Sequence, residues 1–490
     1  MVHHRNHFIV FTTPFQGHIN PTLQLSKRLA SLGAQVTFVT SIHAHRRMFN
    51  DKNNATSIRS DYASSITFAP FSDGYDNGLK QGDDALQFLS EFKRHGSEAL
   101  SNLIRSLSTD DDPNRSVTCL ICSFLYPWIL ELGRDHGVKT AMLWIQPAVV
   151  FGIYYYYFNG YKDKILQENV ANEGNYSSSY VELPGLPKLT CRDLPSFLLP
   201  SNIYKSSLTL FEEQFQGLNQ EDYKPRVLIN SFDALESEAL KALDGKVDIK
   251  AIGPLVPSAF LAGNDPSDTH FGADLFEPSN INYLQWLNSK DEASVVYVSF
   301  GSLVVLKRRQ VEEIARGLIK IRRPFLWVFR AQEIGEEEEQ GEIKSLIDGI
   351  NREEEQGLIV PWCSQIEVLS HSSVGCFVSH CGWNSTLESL VVGIPVVAFP
   401  QWTDQGTNAK LIEDVWRTGV RVKVSKEEDN LVKSEEIRRC VEMVMGKERG
   451  AEMRQNAEKW KDLARKAVGI GGSSERNLME FLKEMGQVLD

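Results

Sequence analysis

The chain has 490 residues, 42% of them apolar and 24% charged, with a formal net charge of −12 and seven cysteines. That length exceeds what one hydrophobic core usually serves, so two domains are expected, and the apolar content excludes a disordered chain. The acidic balance gives no electrostatic reason to expect nucleic acid or an anionic membrane as partner, and seven scattered cysteines do not make a disulfide framework.

The N-terminal apolar stretch breaks at Thr13-Pro14, too early for a signal segment, and no run of about 18 apolar residues escapes a charge or breaker. A cytoplasmic monomer without membrane insertion is therefore expected. Residues 7–12 read as a strand, and a loop with Pro14 and Gly17 follows. Apolar positions 19, 23, 25, 29 and 32 fit an amphipathic helix closed by Gly33, and residues 35–40 read as the next strand. Strand–helix–strand in this order is a βαβ unit of a parallel sheet. The pattern recurs with 116–124 as strand, 128–136 as helix and 139–145 as strand. It then restarts independently, with strands at 293–300, 324–329, 358–361, 374–379 and 396–399. These readings predict an α/β protein of two doubly wound, Rossmann-like lobes facing a cleft. The expected division is residues 1–252, a breaker-rich linker 253–268, a second lobe 269–465, and a terminal helix in 466–490 packing back across both lobes. The acidic run 333–342 reads as a solvated loop.

Residues 362–405 read WCSQIEVLSHSSVGCFVSHCGWNSTLESLVVGIPVVAFPQWTDQ. The strand at 374–379 leads through Gly382-Trp383-Asn384-Ser385 into a helix expected from about residue 386. Gly, Asn and Ser favour helix N-termini, whose N–H groups and dipole make an anion site suited to a diphosphate. By spacing alone, Asn384 and Ser385 are equally readable as simple caps. Glu388 lies one turn after Asn384 on the same helical face. Trp362 offers a flat stacking surface, although an isolated Trp is more often core. Cys376-x-x-x-His380-Cys381 has poor spacing for zinc and no second ligand pair, so no metal is expected. Cys119-x-x-Cys122 sits in an apolar strand and reads as two buried thiols.

The whole of that segment resembles the donor-binding signature of the plant UDP-dependent glycosyltransferases, and weaker likeness extends over nearly the entire chain. The resemblance implies the two-lobed GT-B fold and inverting chemistry. UDP-glucose is the implied donor co-substrate, no cofactor is permanently bound, and the acceptor is a small apolar plant metabolite. On it, His380, Gly382, Asn384 and Ser385 hold the phosphates, helped by Ser302 in the Ser299-Phe300-Gly301-Ser302 turn. Glu388 takes the ribose diol, Trp362 stacks on uracil with Cys363 beside it, and Gln365 bonds the ribose. Asp404 and Gln405 accept bonds from the sugar hydroxyls, and Trp383 offers a backbone donor. A Gln at position 405 points to glucose.

Inversion needs a base for the acceptor's proton. His18, at a helix N-terminus where the dipole disfavours the imidazolium, is suited to it, and the run PFQGHINP at 14–21 matches the family. Many members orient this His with an Asp, but here the matching position in Cys-Ser-Phe-Leu-Tyr-Pro-Trp, 122–128, is Ser123. Either Ser123 positions His18 by a neutral hydrogen bond, or the acceptor is acidic enough to need little help. Segments 71–78, 154–158 and 183–187 are most similar to the subgroup acting on flavonoids, anthocyanins, hormone acids and apocarotenoid acids. The aromatic run 153–161 reads either as helix core or as acceptor-pocket lining. A dehydrogenase is disfavoured because no Gly-x-Gly-x-x-Gly follows a strand, and a serine hydrolase because Gly-x-Ser-x-Gly is absent. The remaining alternative is an inactive UDP-sugar sensor.

Overall fold

Two parallel sheets organise the chain in a computed structural model that describes residues 6–49, 65–80, 82–108, 116–123, 127–170, 180–200, 202, 205–218, 225–261, 265–269, 271, 281–330, 347–350, 356–425 and 430–486. The acidic run 333–342 lies outside the described residues.

The first sheet comprises β1 (His7–Phe11), β2 (Gln35–Val39), β3 (Ile66–Phe68), β4 (Cys119–Ser123), β5 (Lys139–Trp144), β6 (Arg226–Ile229) and β7 (Ile249–Ala251), in the order β3-β2-β1-β4-β5-β6-β7. The second comprises β8 (Val295–Ser299), β9 (Phe325–Val328), β10 (Gly357–Val360), β11 (Val374–Ser379), β12 (Val396–Ala398) and β13 (Gly419–Arg421), in the order β10-β9-β8-β11-β12-β13. Helices cover both faces, which is why β1, β4, β8 and β11 are continuous apolar runs buried throughout.

In each sheet the order reverses once, between β1 and β4 and between β8 and β11. Helices leave opposite faces of the sheet on either side of such a point, so a crevice opens at the strands' carboxyl ends. Phe11 pairs with Cys122 at the first reversal and Ser379 with Ser299 at the second. The segments beyond these pairs carry His18, in the first turn of the following helix, in one lobe and Ser302 and His380 in the other.

The terminal segment is two helices, Arg449–Val468 and Ser473–Met485. The second lies against the first lobe: Phe481 packs on Phe8, Ser474 donates to the Gly253 carbonyl, and Glu484 pairs with Arg226. Among the described residues, no helix is long and apolar enough to cross a membrane.

Candidate active site

After β1 the chain turns through Thr12–Phe15 into a helix, Gln16–Ser31, three residues earlier than the apolar periodicity predicts. His18 is therefore inside the first helical turn rather than ahead of it. It is half-buried, its ring 6.3 Å from that of Phe15, and burial pushes its pKa down to about 4. The imidazole is neutral at physiological pH, as the chemistry of a proton acceptor requires.

The expected Ser123–His18 hydrogen bond is not formed. Ser123 ends β4 fully buried, and its Oγ has no hydrogen-bond partner among the described residues.

Across the cleft, His380 follows β11, and burial pushes its pKa down to about 4, partly offset by the Ser299 backbone. Its ring is wedged between Gly301 and Gly382. A Cβ at Gly301 would stand 2.6 Å from Nε2, and one at Gly382 would also clash with that atom. Both glycines are thus required by the imidazole they enclose.

Cys381 next takes a left-handed φ of 64°, held by the Ser379 hydroxyl on its N–H and by Asn408 on its carbonyl. The helix then begins at Trp383 and runs to Val392, with Gly382 as N-cap and no side-chain cap. Asn384 and Ser385 are first-turn residues and do not cap. The helix terminus faces the cleft with its backbone donors unshielded by a side chain, the arrangement that binds anions.

Three of the candidate donor residues form one cluster. Gln365 Nε2 donates to both Ser385 Oγ and Glu388 Oε2, each at 2.7 Å, so the buried carboxylate sits behind the first helical turn. Cys363 is buried beside Tyr297, its Sγ 3.5 Å from the phenol oxygen. Trp362 is capped by Arg330, whose guanidinium lies 5.9 Å from the ring centroid and donates to the Ser302 carbonyl at 3.2 Å. Arg330 thereby joins the Ser302 turn to the Trp362 ring, a link that the sequence gives no signal for.

Asp404 and Gln405 open the helix Gln405–Lys410. Both Asp404 oxygens are engaged, by Thr403 Oγ1 at 2.8 Å and Asn408 Nδ2 at 2.6 Å. Gln405 Oε1 accepts from the backbone N–H groups of Gln401 and Trp402, at 2.9 and 3.1 Å. Its amide N–H₂ is thus the group left to meet a ligand. With two backbone donors on its oxygen, the Gln405 side chain offers a donor where an acceptor was expected.

His18, Ser302, Trp362, His380, Glu388, Asp404 and Gln405 line one cavity of about 710 Å³. The family described as UDP-glucoronosyl and UDP-glucosyl transferase matches residues 256–455. A phloretin 4'-O-glucosyltransferase from Malus domestica is 52% identical over 100% of this chain and 99% of its own. A crocetin glucosyltransferase, named as chloroplastic, from Gardenia jasminoides is 51% identical over 99% and 98%. This chain belongs to the UDP-dependent glycosyltransferase family. Among solved structures, Os79 from O. sativa in complex with UDP superposes with a TM-score of 0.81 at 32% identity, covering 97% of this chain and 100% of that one. The fold of this glycosyltransferase is accordingly GT-B.

The first-lobe wall of the glycosyltransferase cleft is apolar, built by Phe15, Phe88, Leu89, Phe197 and Phe211. The aromatic run 153–161 contributes nothing to it. Tyr154 instead stacks on Phe211 from behind, at 4.3 Å between centroids, and Tyr154, Tyr156 and Tyr157 are buried core. Sequence reasoning missed the actual wall because its residues come from four separate segments. Cys119 and Cys122 are buried free thiols, both with pKa raised by desolvation.

Proposed function

We propose that this glycosyltransferase moves glucose from UDP-glucose, with inversion, to an oxygen of a small apolar phenol or carboxylic acid. The observation that carries the reading is the single cavity into which the neutral His18 of one lobe and the uncapped helix N-terminus at Trp383 of the other both open. In the proposed step the acceptor oxygen bonds to the anomeric carbon while the bond from that carbon to the β-phosphate oxygen breaks. The electron pair leaves with UDP, and where the attacking oxygen still carries a proton, that proton passes to His18.

The helix N-terminus, His380 and Ser302 take the diphosphate in this reading, so its charge is met by protein donors rather than a metal ion. Glu388 takes the ribose diol, Trp362 stacks on uracil beside Cys363, and Asp404 and Gln405 hold the sugar. Gln365 supports Ser385 and Glu388 through its forked bond.

Acceptor acidity follows from the base. Burial lowers the basicity of His18. An oxygen already ionised or easily ionised is therefore the favoured nucleophile. Relatives named for phloretin, a phenol, and crocetin, a carboxylic acid, fit this chemistry.

The test is incubation of the protein with UDP-glucose and phloretin, crocetin or an aliphatic alcohol of similar size, with products read by mass. Addition of one hexose to the first two is expected, with transfer to phloretin lost in His18→Ala. UDP-glucose binding without transfer to any acceptor would favour a sensor instead, and preference for the aliphatic alcohol would reject the acidity argument.

A further inference from the structure

The acceptor-lobe segment 190–198 is built into the sugar-facing loop of the opposite lobe. Asp193, only 1% exposed, is where the two meet. Its Oδ2 closes a capping box with Thr190, accepting from the backbone N–H at 2.8 Å and the hydroxyl at 2.6 Å. Its Oδ1 accepts from Arg421 Nη1 at 2.7 Å, and Arg421 lies at the end of β13 in the second lobe. Arg421 also donates to the Arg192 carbonyl at 2.9 Å, and Thr407 Oγ1 donates to the Asp193 carbonyl at 2.6 Å. Gly406 approaches so closely that a Cβ there would stand 2.6 Å from the Arg192 oxygen.

The same segment grips the residue before Asp404. Thr403 has a left-handed φ of 56°, an unfavourable conformation for a β-branched side chain. Ser196 holds it there from both sides: the Ser196 N–H donates to the Thr403 carbonyl and the Thr403 N–H donates to Ser196 Oγ, each at 2.8 Å. Thr403 in turn bonds Asp404, so the sugar-facing carboxylate is aimed by a residue whose backbone is fixed from the other lobe. Next to Ser196, Phe197 lines the acceptor wall and meets Trp402 edge-on, at 6.4 Å between centroids.

We infer that Asp193, Ser196 and Arg421 are positioning residues for the donor sugar, fixing the placement of Asp404 and Gln405. The inference rests on the proposed role of Asp404 and Gln405 at the glucose. The residues proposed for the uridine and the phosphates lie on other elements, so the strap is expected to act chiefly on the sugar. It distinguishes UDP-glucose from UDP, which a general structural brace does not.

The test is calorimetric titration of the full chain with UDP-glucose and, separately, with UDP, for wild type, Asp193→Asn and Ser196→Ala. Ser196→Ala removes one hydroxyl and leaves the ion pair intact, so it remains informative if Asp193→Asn does not fold. The expected result is a loss of affinity for UDP-glucose of about tenfold, with UDP affinity within about twofold of wild type. Parallel weakening of both ligands, or unchanged UDP-glucose affinity in Ser196→Ala, overturns the inference. A wild-type protein that binds UDP but not UDP-glucose would instead overturn the proposed donor, which separates the two failures.

Discussion

Asn384 Nδ2 donates a 2.9 Å hydrogen bond to the carbonyl of Gly17, the residue immediately before His18. The first turn of the donor-lobe helix is thereby tied to the first turn of the helix that carries the base. One residue earlier, Trp383 Nε1 donates to the Asn230 carbonyl at 2.7 Å, a second tie between the lobes. Together they set how far the base stands from whatever the Trp383 helix binds. Asn384→Ala is expected to lower kcat by about tenfold, since misplacement of about an ångström is enough for such a loss. Asn384→Asp should be worse, because a carboxylate would face the Gly17 carbonyl. Equal rates for Asp and Asn at this position would remove the tie from the mechanism.

His18→Ala should lower transfer by about 10² to 10⁴-fold while leaving UDP-glucose binding intact, the range ordinary for a general base. Because the His18 pKa lies at about 4, kcat/KM in the wild type should hold level from neutral pH down to about 5 and fall only below it. An acid limb centred near the ordinary histidine value of about 6.5 would contradict the burial that defines the site.

The depressed pKa values of His18 and His380 also enter stability. In the unfolded chain each titrates near the ordinary histidine value of 6.5, and in the fold near 4, so between those limits the unfolded state holds protons that the fold does not. Their contribution is complete above about pH 6.5 and is lost as pH falls toward 4. Tm should therefore drop between pH 7 and pH 5, and the drop should shrink in His18→Gln. A pH dependence identical in wild type and variant counts against the assignment.

Gly382→Ala should leave the fold standing, because its added Cβ meets the far end of a side chain, His380 Nε2, which can swing away. The displaced imidazole then no longer faces the phosphates, and KM for UDP-glucose should rise by at least about tenfold, the cost of a lost bond to a charged group. Measured KM within twofold of wild type would show that His380 is not needed where it sits.

Gln405→Glu tests the direction of the sugar contact. The backbone donors of Gln401 and Trp402 can still be accepted by a carboxylate, so the loop should persist. Only the amide donor disappears. UDP-glucose binding should weaken while UDP binding stays unchanged, and a Glu variant that binds UDP-glucose normally would restore Gln405 to the role of acceptor.

Much of this was legible along the chain, for a simple reason. Strands β1, β4, β8 and β11 are five or six residues long and buried on both faces, so they read as uninterrupted apolar runs. The edge strands β3, β7 and β13, of three residues each, and the four-residue β6 were not anticipated, although β12, also three residues long, was. The donor segment was readable because residues 362–405 are contiguous: one strand, one turn and one helix place His380, Ser385 and Glu388 together by local geometry alone. Helix starts at Gln16 and Trp383 were displaced by three residues from their expected positions because backbone at a sheet reversal, not apolar periodicity, decides where the first turn begins.

The rest depended on long-range packing. Phe15, Phe88, Phe197 and Phe211 form the acceptor wall only when four segments converge, and nothing in their spacing announces it. The bond from Asn384 to Gly17 spans 367 positions and that from Arg421 to Asp193 spans 228. Chemistry carried by neighbours on one element is written in their spacing. Contacts between elements are decided by how two sheets close on each other, because backbone and side-chain partners at such separation share no periodicity.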